Sequence, residues 1–211
     1  EKVRRNGAID CQKGILTVLM ILCHCIQFFG SKEEYFEKYI VDYINITTFS
    51  GFLFCLGYVS DKAYYQKVFS YSIKRMLKSA IRPLVSFYAS SVCYIAFVDK
   101  KIFKLEIIYE ILSIRRFAGW SEFLISFVGI TVIGIVLFPI FKRMNGYIFF
   151  LILFISLGTS LLPYEYIKNP VLALFVGSYD YVTYPVLQYM VYYAFGILIS
   201  REKFIFRKKI F

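Results

Sequence analysis

The chain has one histidine, His24, and one tryptophan, Trp120, among its 211 residues. A single imidazole excludes sites built on several histidines, and it leaves one side chain whose ordinary pKa lies near neutrality. Cysteine is sparse too: Cys11, Cys23, Cys25, Cys55 and Cys93 contain no CxxC pair and no short disulfide-scaffold spacing. The triplet Cys23-His24-Cys25 does not close on one ion from a helix, because successive residues point about 100° apart. No metal site and no bound cofactor are expected. Acidic residues are few, 14 against 25 basic ones. Linkers rich in proline or serine, low-complexity tracts and internal repeats are all missing, which argues against a string of domains.

What the chain does have is apolar surface. Apolar residues make up 59% of it and the mean hydropathy is +0.61, whereas a soluble domain would hold about 45–50%. Rings are abundant, with 23 Phe and 19 Tyr, as expected where aromatics anchor helices at both headgroup layers. The expected fold is all-α, a polytopic transmembrane helix bundle forming one membrane domain over residues 1–211.

Six stretches are long enough to cross a bilayer core of about 30 Å as helices: residues 14–29, 43–59, 82–98, 120–141, 147–162 and 182–200. An apolar patch at 170–177 is too short to span. Cytoplasmic loops collect Lys and Arg. With the N-terminus inside, 17 of the 25 basic residues fall on the inner side, from Lys2, Arg4, Arg5 and Lys13 through the run Lys62 to Arg82, then Lys142, Arg143 and the tail from Arg201 to Lys209. Ten of the 14 acidic residues fall on the outer side, among them Glu33, Glu34, Glu37, Glu122 and Asp180. This asymmetry predicts about six spans, both termini cytoplasmic, and a multi-pass location in the plasma or inner membrane. The net charge of +11 is then topogenic and lipid-facing, and no nucleic-acid motif accompanies it. The basic start ahead of an apolar run resembles a signal peptide, but no small-residue cleavage site follows, so a retained anchor is expected.

The first span carries a polar stripe. Eleven residues advance a helix by about 1100°, so Lys13 and His24 share one face within roughly 20° and stand about 16 Å apart along the axis. Thr17, Met20 and Gln27 fall on the same face. Polar groups do not face lipid cheaply, so this stripe should face the bundle interior or a wet cleft. Asp10 can pair with Lys13 at the inner mouth. Two readings of the stripe stand: a functional base with a cationic anchor, or a buried histidine bonded to a neighbouring helix while Lys13 snorkels to the headgroups. The same duality applies to the basic run at 74–82, as a phosphate-binding set or an amphipathic surface on anionic lipid.

Ile9-Asp10, Lys13-Gly14-Ile15 and His24, followed by FSGFLFCLGYV at 49–59, resemble the N-terminal half of the acyltransferase-3 family of integral membrane acyltransferases. The first motif of that family is a basic residue, ten intervening positions and a histidine. Lys13 in place of the commoner Arg resembles the branch of fucose 4-O-acetylases and enterobacterial common antigen O-acetyltransferases. YSIKRMLKSAIRPLVSFY at 71–88, AGWSEFLISF at 118–127 and YYAFGIL at 192–198 are similar to later family segments in the same order. Arg82 and Glu122 depart from the family pattern. Members usually have about ten spans, so the chain is expected to hold the first six.

The resemblance implies a membrane O-acyltransferase that moves an acetyl or other short acyl group from acyl-CoA to a hydroxyl of a cell-surface carbohydrate or lipid-linked sugar. In that reading His24 is the general base, acetyl-CoA is the donor, and Lys13, Arg75, Lys78 and Arg82 hold its phosphates. Asp10, Thr17 and Gln27 support the stripe. Asp42, Trp120 and Glu122 are weaker candidates for acceptor contacts, since a solvated loop position explains the two acids and interfacial anchoring explains Trp120. A transporter or channel subunit, or an inactive truncated remnant, are the alternatives that the residues leave open.

Overall fold

The computed structural model describes residues 6–30, 35–99, 105–179 and 184–201, without the side chains of Tyr35 and Trp120. Several residues used above to orient the chain lie outside this set: Lys2, Arg4, Arg5, Glu33, Glu34, Asp180 and the residues after Arg201. The described residues form helices and no strand. Three helices are long and apolar enough to cross a membrane: Gly7–Phe29, Phe36–Tyr65 and Phe69–Val98. At 1.5 Å per residue they are about 34–45 Å long, enough for a hydrocarbon core of roughly 30 Å. Large apolar side chains such as Val18, Phe36, Phe97 and Phe154 stand exposed on the helices, a surface suited to lipid and not to water.

The chain divides into two compact units. The first comprises Glu1–Ala63 with Tyr192–Phe211. Its α1, Gly7–Phe29, starts where the Asn6 side chain accepts the Ala8 N–H at 3.1 Å, an N-cap that satisfies one orphan donor. Ile9, Leu16 and Cys23, spaced by seven, form its buried seam. Opposite lies α2, Tyr35–Ser60, whose last turn widens into a π-helical turn, Asp61–Tyr65. Asn6 Nδ2 donates to Tyr58 Oη at 2.9 Å, and Cys23 Sγ donates to Asn45 Oδ1 at 3.2 Å, so α1 and α2 run antiparallel.

The C-terminal part of α9, Val186–Arg201, completes this unit. Here two glycines let backbones approach. A Cβ on Gly57 would collide with the Tyr193 carbonyl, and one on Gly196 with the Phe54 carbonyl. Phe54 and Phe195 stack beside the crossing with centroids 5.6 Å apart. Such small-residue crossings are how membrane helices gain packing contacts where no hydrophobic force separates helix from lipid. The Asn6 end of α1, the Asp61 end of α2 and the Arg201 end of α9 gather at one end of the unit.

The second unit, Tyr64–Val191, is built on α3, Phe69–Cys93, which continues into a π-helical turn, Tyr94–Val98. The expected span at 82–98 is thus the second half of one 30-residue helix. Pro83 sits inside it without ending it. The buried side chains Ser72, Met76, Ala80, Phe87 and Ser91 form the seam of α3. Against α3 packs α5, Glu122–Val136, entered through a 3-10 turn at Gly119–Ser121. Ser91 and Ser121 hydroxyls meet at 3.2 Å where the two are buried. Residues 105–112, expected as loop, form the short helix α4, Leu105–Leu112.

The expected single span at 120–141 is broken. α5 stops at Val136 and α6, Phe138–Lys142, begins after Leu137. Pro139 has no N–H to give the ladder and its ring clashes with the carbonyl four residues back, so an unbroken helix is disfavoured there. The stretch at 147–162 is α7, Gly146–Ser160, capped by Asn145, whose side chain accepts the Ile148 N–H at 3.0 Å. The patch at 170–177 is α8, Pro170–Val176, capped by Asn169 and closed by Gly177 at φ 100°. At 15 and 16 residues, α5, α7 and α9 are shorter than the three long apolar helices.

Gly57→Ala and Gly196→Ala should each destabilise the protein by about 1–3 kcal/mol, because the added methyl meets backbone that does not swing aside. Gly14→Ala and Gly158→Ala, which face open space, should be neutral in the same thermal unfolding series in detergent. Equal effects at all four glycines would remove the close crossing as a stabilising feature.

Candidate functional site

The Lys13–His24 stripe lies on α1 beside the buried seam. Lys13, Met20, His24 and Gln27 are half-buried, while Thr17 is exposed at the margin. Thr17 Oγ1 donates to the Lys13 carbonyl at 2.8 Å, so its hydroxyl serves the backbone of its own helix. His24 Nδ1 lies 3.0 Å from Gln27 Oε1. With Nδ1–H as donor to that oxygen, Nε2 is the basic nitrogen of the ring. Three residues of spacing place Gln27 one turn on, which is why the pair forms within a single helix.

Asp10 behaves differently from expectation. It is exposed, and among the described residues it makes no ion pair with Lys13. It sits in the first turn of α1, where the positive end of the helix dipole favours a carboxylate.

The register of the α1–α2 pair fixes what each end of the stripe faces. A Cβ on Gly51 would touch Leu16, and Cys23 bonds to Asn45, which sets Lys13 near the Cys55 level and His24 near the Ile44 level. Lys13 lies within electrostatic range of Cys55, and Asp42 within range of Cys23. The His24 level of α2 therefore carries the polar groups Asp42, Asn45 and Thr48. Asp42 is exposed, Asn45 is half-buried, and buried Thr48 donates to the Ile44 carbonyl at 2.7 Å.

Arg75, Lys78 and Arg82 belong to α3 in the other unit, and all three are exposed. Glu122 is the first residue of α5 and is half-buried; Trp120 lies in the 3-10 turn before it. The candidates thus fall into two sets, Asp10, Lys13, Thr17, His24, Gln27 and Asp42 in the first unit and the remainder in the second.

One polar cluster was missed by the sequence reading. Asp61, fully buried, receives Arg201 Nε at 2.8 Å and Nη2 at 2.6 Å on Oδ1, and the Ser200 hydroxyl on Oδ2. Beside it Lys62 Nζ donates to the Ser200 carbonyl at 2.6 Å, satisfying an orphan acceptor at the end of α9. Charge counting treated Lys62 and Arg201 only as topogenic residues. No spacing rule links positions 140 apart in sequence, so the pair had no local signal.

No family model, curated protein or solved structure matches this chain.

Asp61→Asn should cost about 3 kcal/mol, since it strands a guanidinium that is only 22% exposed. The double variant Asp61→Asn with Arg201→Gln should cost less than the sum of the two single changes in thermal unfolding. Additive losses would show that the two side chains are not coupled.

Proposed function

We propose that the chain is a membrane O-acyltransferase, with six spans and both termini cytoplasmic, that transfers a short acyl group from acyl-CoA to a carbohydrate hydroxyl with His24 as general base. The observation that carries the reading is the single-helix placement of Lys13 and His24, half-buried on one flank of the α1–α2 seam, with Nδ1 of the imidazole engaged by Gln27. The gathering of the Asn6, Asp61 and Arg201 helix ends at one end of the first unit supports termini on a common side. The motif resemblance supplies the reaction class.

In this mechanism Lys13 attracts the donor's phosphates at the cytoplasmic mouth. The pantetheine arm follows the stripe over about 16 Å. The acceptor hydroxyl attacks the thioester carbonyl while Nε2 of His24 takes its proton. A C–O bond forms and the C–S bond breaks; the leaving thiolate takes up a proton to give free CoA and the ester. Gln27 holds the ring in the tautomer that leaves Nε2 basic. The α3 cations have no part in this minimal set.

His24→Ala in the full-length protein, assayed in native membranes with acetyl-labelled CoA, should lower transfer to membrane glycan by at least about 100-fold, with insertion unchanged. Retained transfer would end the assignment. Lys13→Glu should raise the apparent KM for acetyl-CoA more than it lowers kcat, and an unchanged KM would remove the anchor role.

A further inference from the structure

The face of α3 opposite its packed seam carries a concentration of positive charge that the mechanism above leaves unused. On a helical wheel Arg75, Lys78 and Arg82 fall within about 60° of one another, with Tyr71 among them. The buried residues Ser72, Met76, Ala80, Phe87 and Ser91 lie on the other side. Tyr71 is an aromatic platform for cations: the Arg75 guanidinium lies 4.5 Å from its ring centroid and Lys67 Nζ lies 5.4 Å away.

The helix itself carries no acid to balance this charge. No Asp or Glu occurs between Asp61 and Asp99, and Asp61 itself is taken by Arg201. Among the described residues Lys78 and Arg82 form no hydrogen bond or ion pair. Directly after Arg82, residues 83–98 hold no charge at all, a run of about 24 Å as helix. The cations therefore stand where the apolar part of the helix begins, spread over about 10 Å of its length.

We propose that this face binds the phosphates of anionic phospholipid headgroups and so fixes the depth and rotation of α3 in the bilayer. Charge complementarity selects a phosphate-bearing partner, and Arg supplies the paired donors that phosphate oxygens accept. The shape of the face selects the source. The three cations stand in a row on the open, convex side of a helix, which a layer of headgroups covers along its whole length. The aromatic ring among the cations suits the same level of the membrane.

The test is native mass spectrometry of the full chain in detergent, titrated separately with phosphatidylglycerol and phosphatidylcholine. The unaltered protein should take up phosphatidylglycerol in preference, and the preference should fade as salt rises from about 0.1 to 1 M. Affinity for phosphatidylglycerol should fall about fivefold for each cation removed in the series R82Q, K78Q/R82Q and R75Q/K78Q/R82Q. Lys168→Gln, at an exposed cation outside α3, should keep it. Should the triple variant not fold, R75K/R82K, which retains the charges, should keep the preference where R75Q/R82Q loses it. Absence of preference in the unaltered protein, or its persistence in the glutamine variants, would overturn the proposal. Displacement of phosphatidylglycerol by CoA at about equal concentration would also overturn it, assigning the face to a soluble nucleotide phosphate.

Discussion

The first unit depends on the crossing of α2 and α9, where Gly57 and Gly196 bring two backbones together and the buried Asp61–Arg201 pair closes the end. Inside a bilayer apolar side chains gain nothing by leaving lipid for protein, so contact area and satisfied polar groups decide which helices associate. Two glycines provide the contact area. The carboxylate provides the polar term, and Arg201 and Ser200 satisfy both its oxygens. A buried ion pair is a weak source of stability against an apolar substitute, but it is costly to break from one side. It therefore ties a residue of the second helix to the final described turn of the chain and penalises mispaired arrangements.

That crossing also defines what α1 can do. With one side of α2 given to α9, α1 packs through the narrow seam of Ile9, Leu16 and Cys23 and keeps its flank open. Lys13 and His24 are half-buried because they occupy that flank. Full burial would leave the Lys13 ammonium and the polar ring without matched partners, and full exposure to lipid would cost several kcal/mol. The intermediate position holds Nδ1 of the imidazole against Gln27 within the same helix.

Hydrophobic runs were enough to read the all-helical class and to locate a part of each of the three long apolar helices among the described residues, because run length and span length share one physical cause. The Lys13–His24 face followed from helical periodicity alone. Other features were not legible. The end of α5 came from Pro139 within an otherwise apolar run, whereas α3 runs unbroken through Pro83. Asp10 looked like a partner for Lys13 by spacing, but the first turn of a helix offers a carboxylate its own electrostatic reward. The Asp61–Arg201 pair depends on tertiary proximity that no local pattern encodes.

A count of basic residues treats every Lys and Arg as the same topogenic signal, and the side chains divide them by what each one meets. Arg201 meets a buried carboxylate and Lys62 a helix-end carbonyl, so both are used inside the protein. Lys13 sits half-buried beside a polar stripe. Arg75 lies over the Tyr71 ring, and among the described residues Lys78 and Arg82 form no ion pair. A cation held by a buried partner contributes little field beyond its neighbours, whereas an unpaired one on an open face acts over a Debye length of about 10 Å. Among the described residues, two of the places that offer positive charge are the one short of the imidazole on α1 and the one along the exposed face of α3. These two places differ in shape as well as in charge: a flank beside a packed seam can orient one bound molecule, and a convex helix face can only meet a surface.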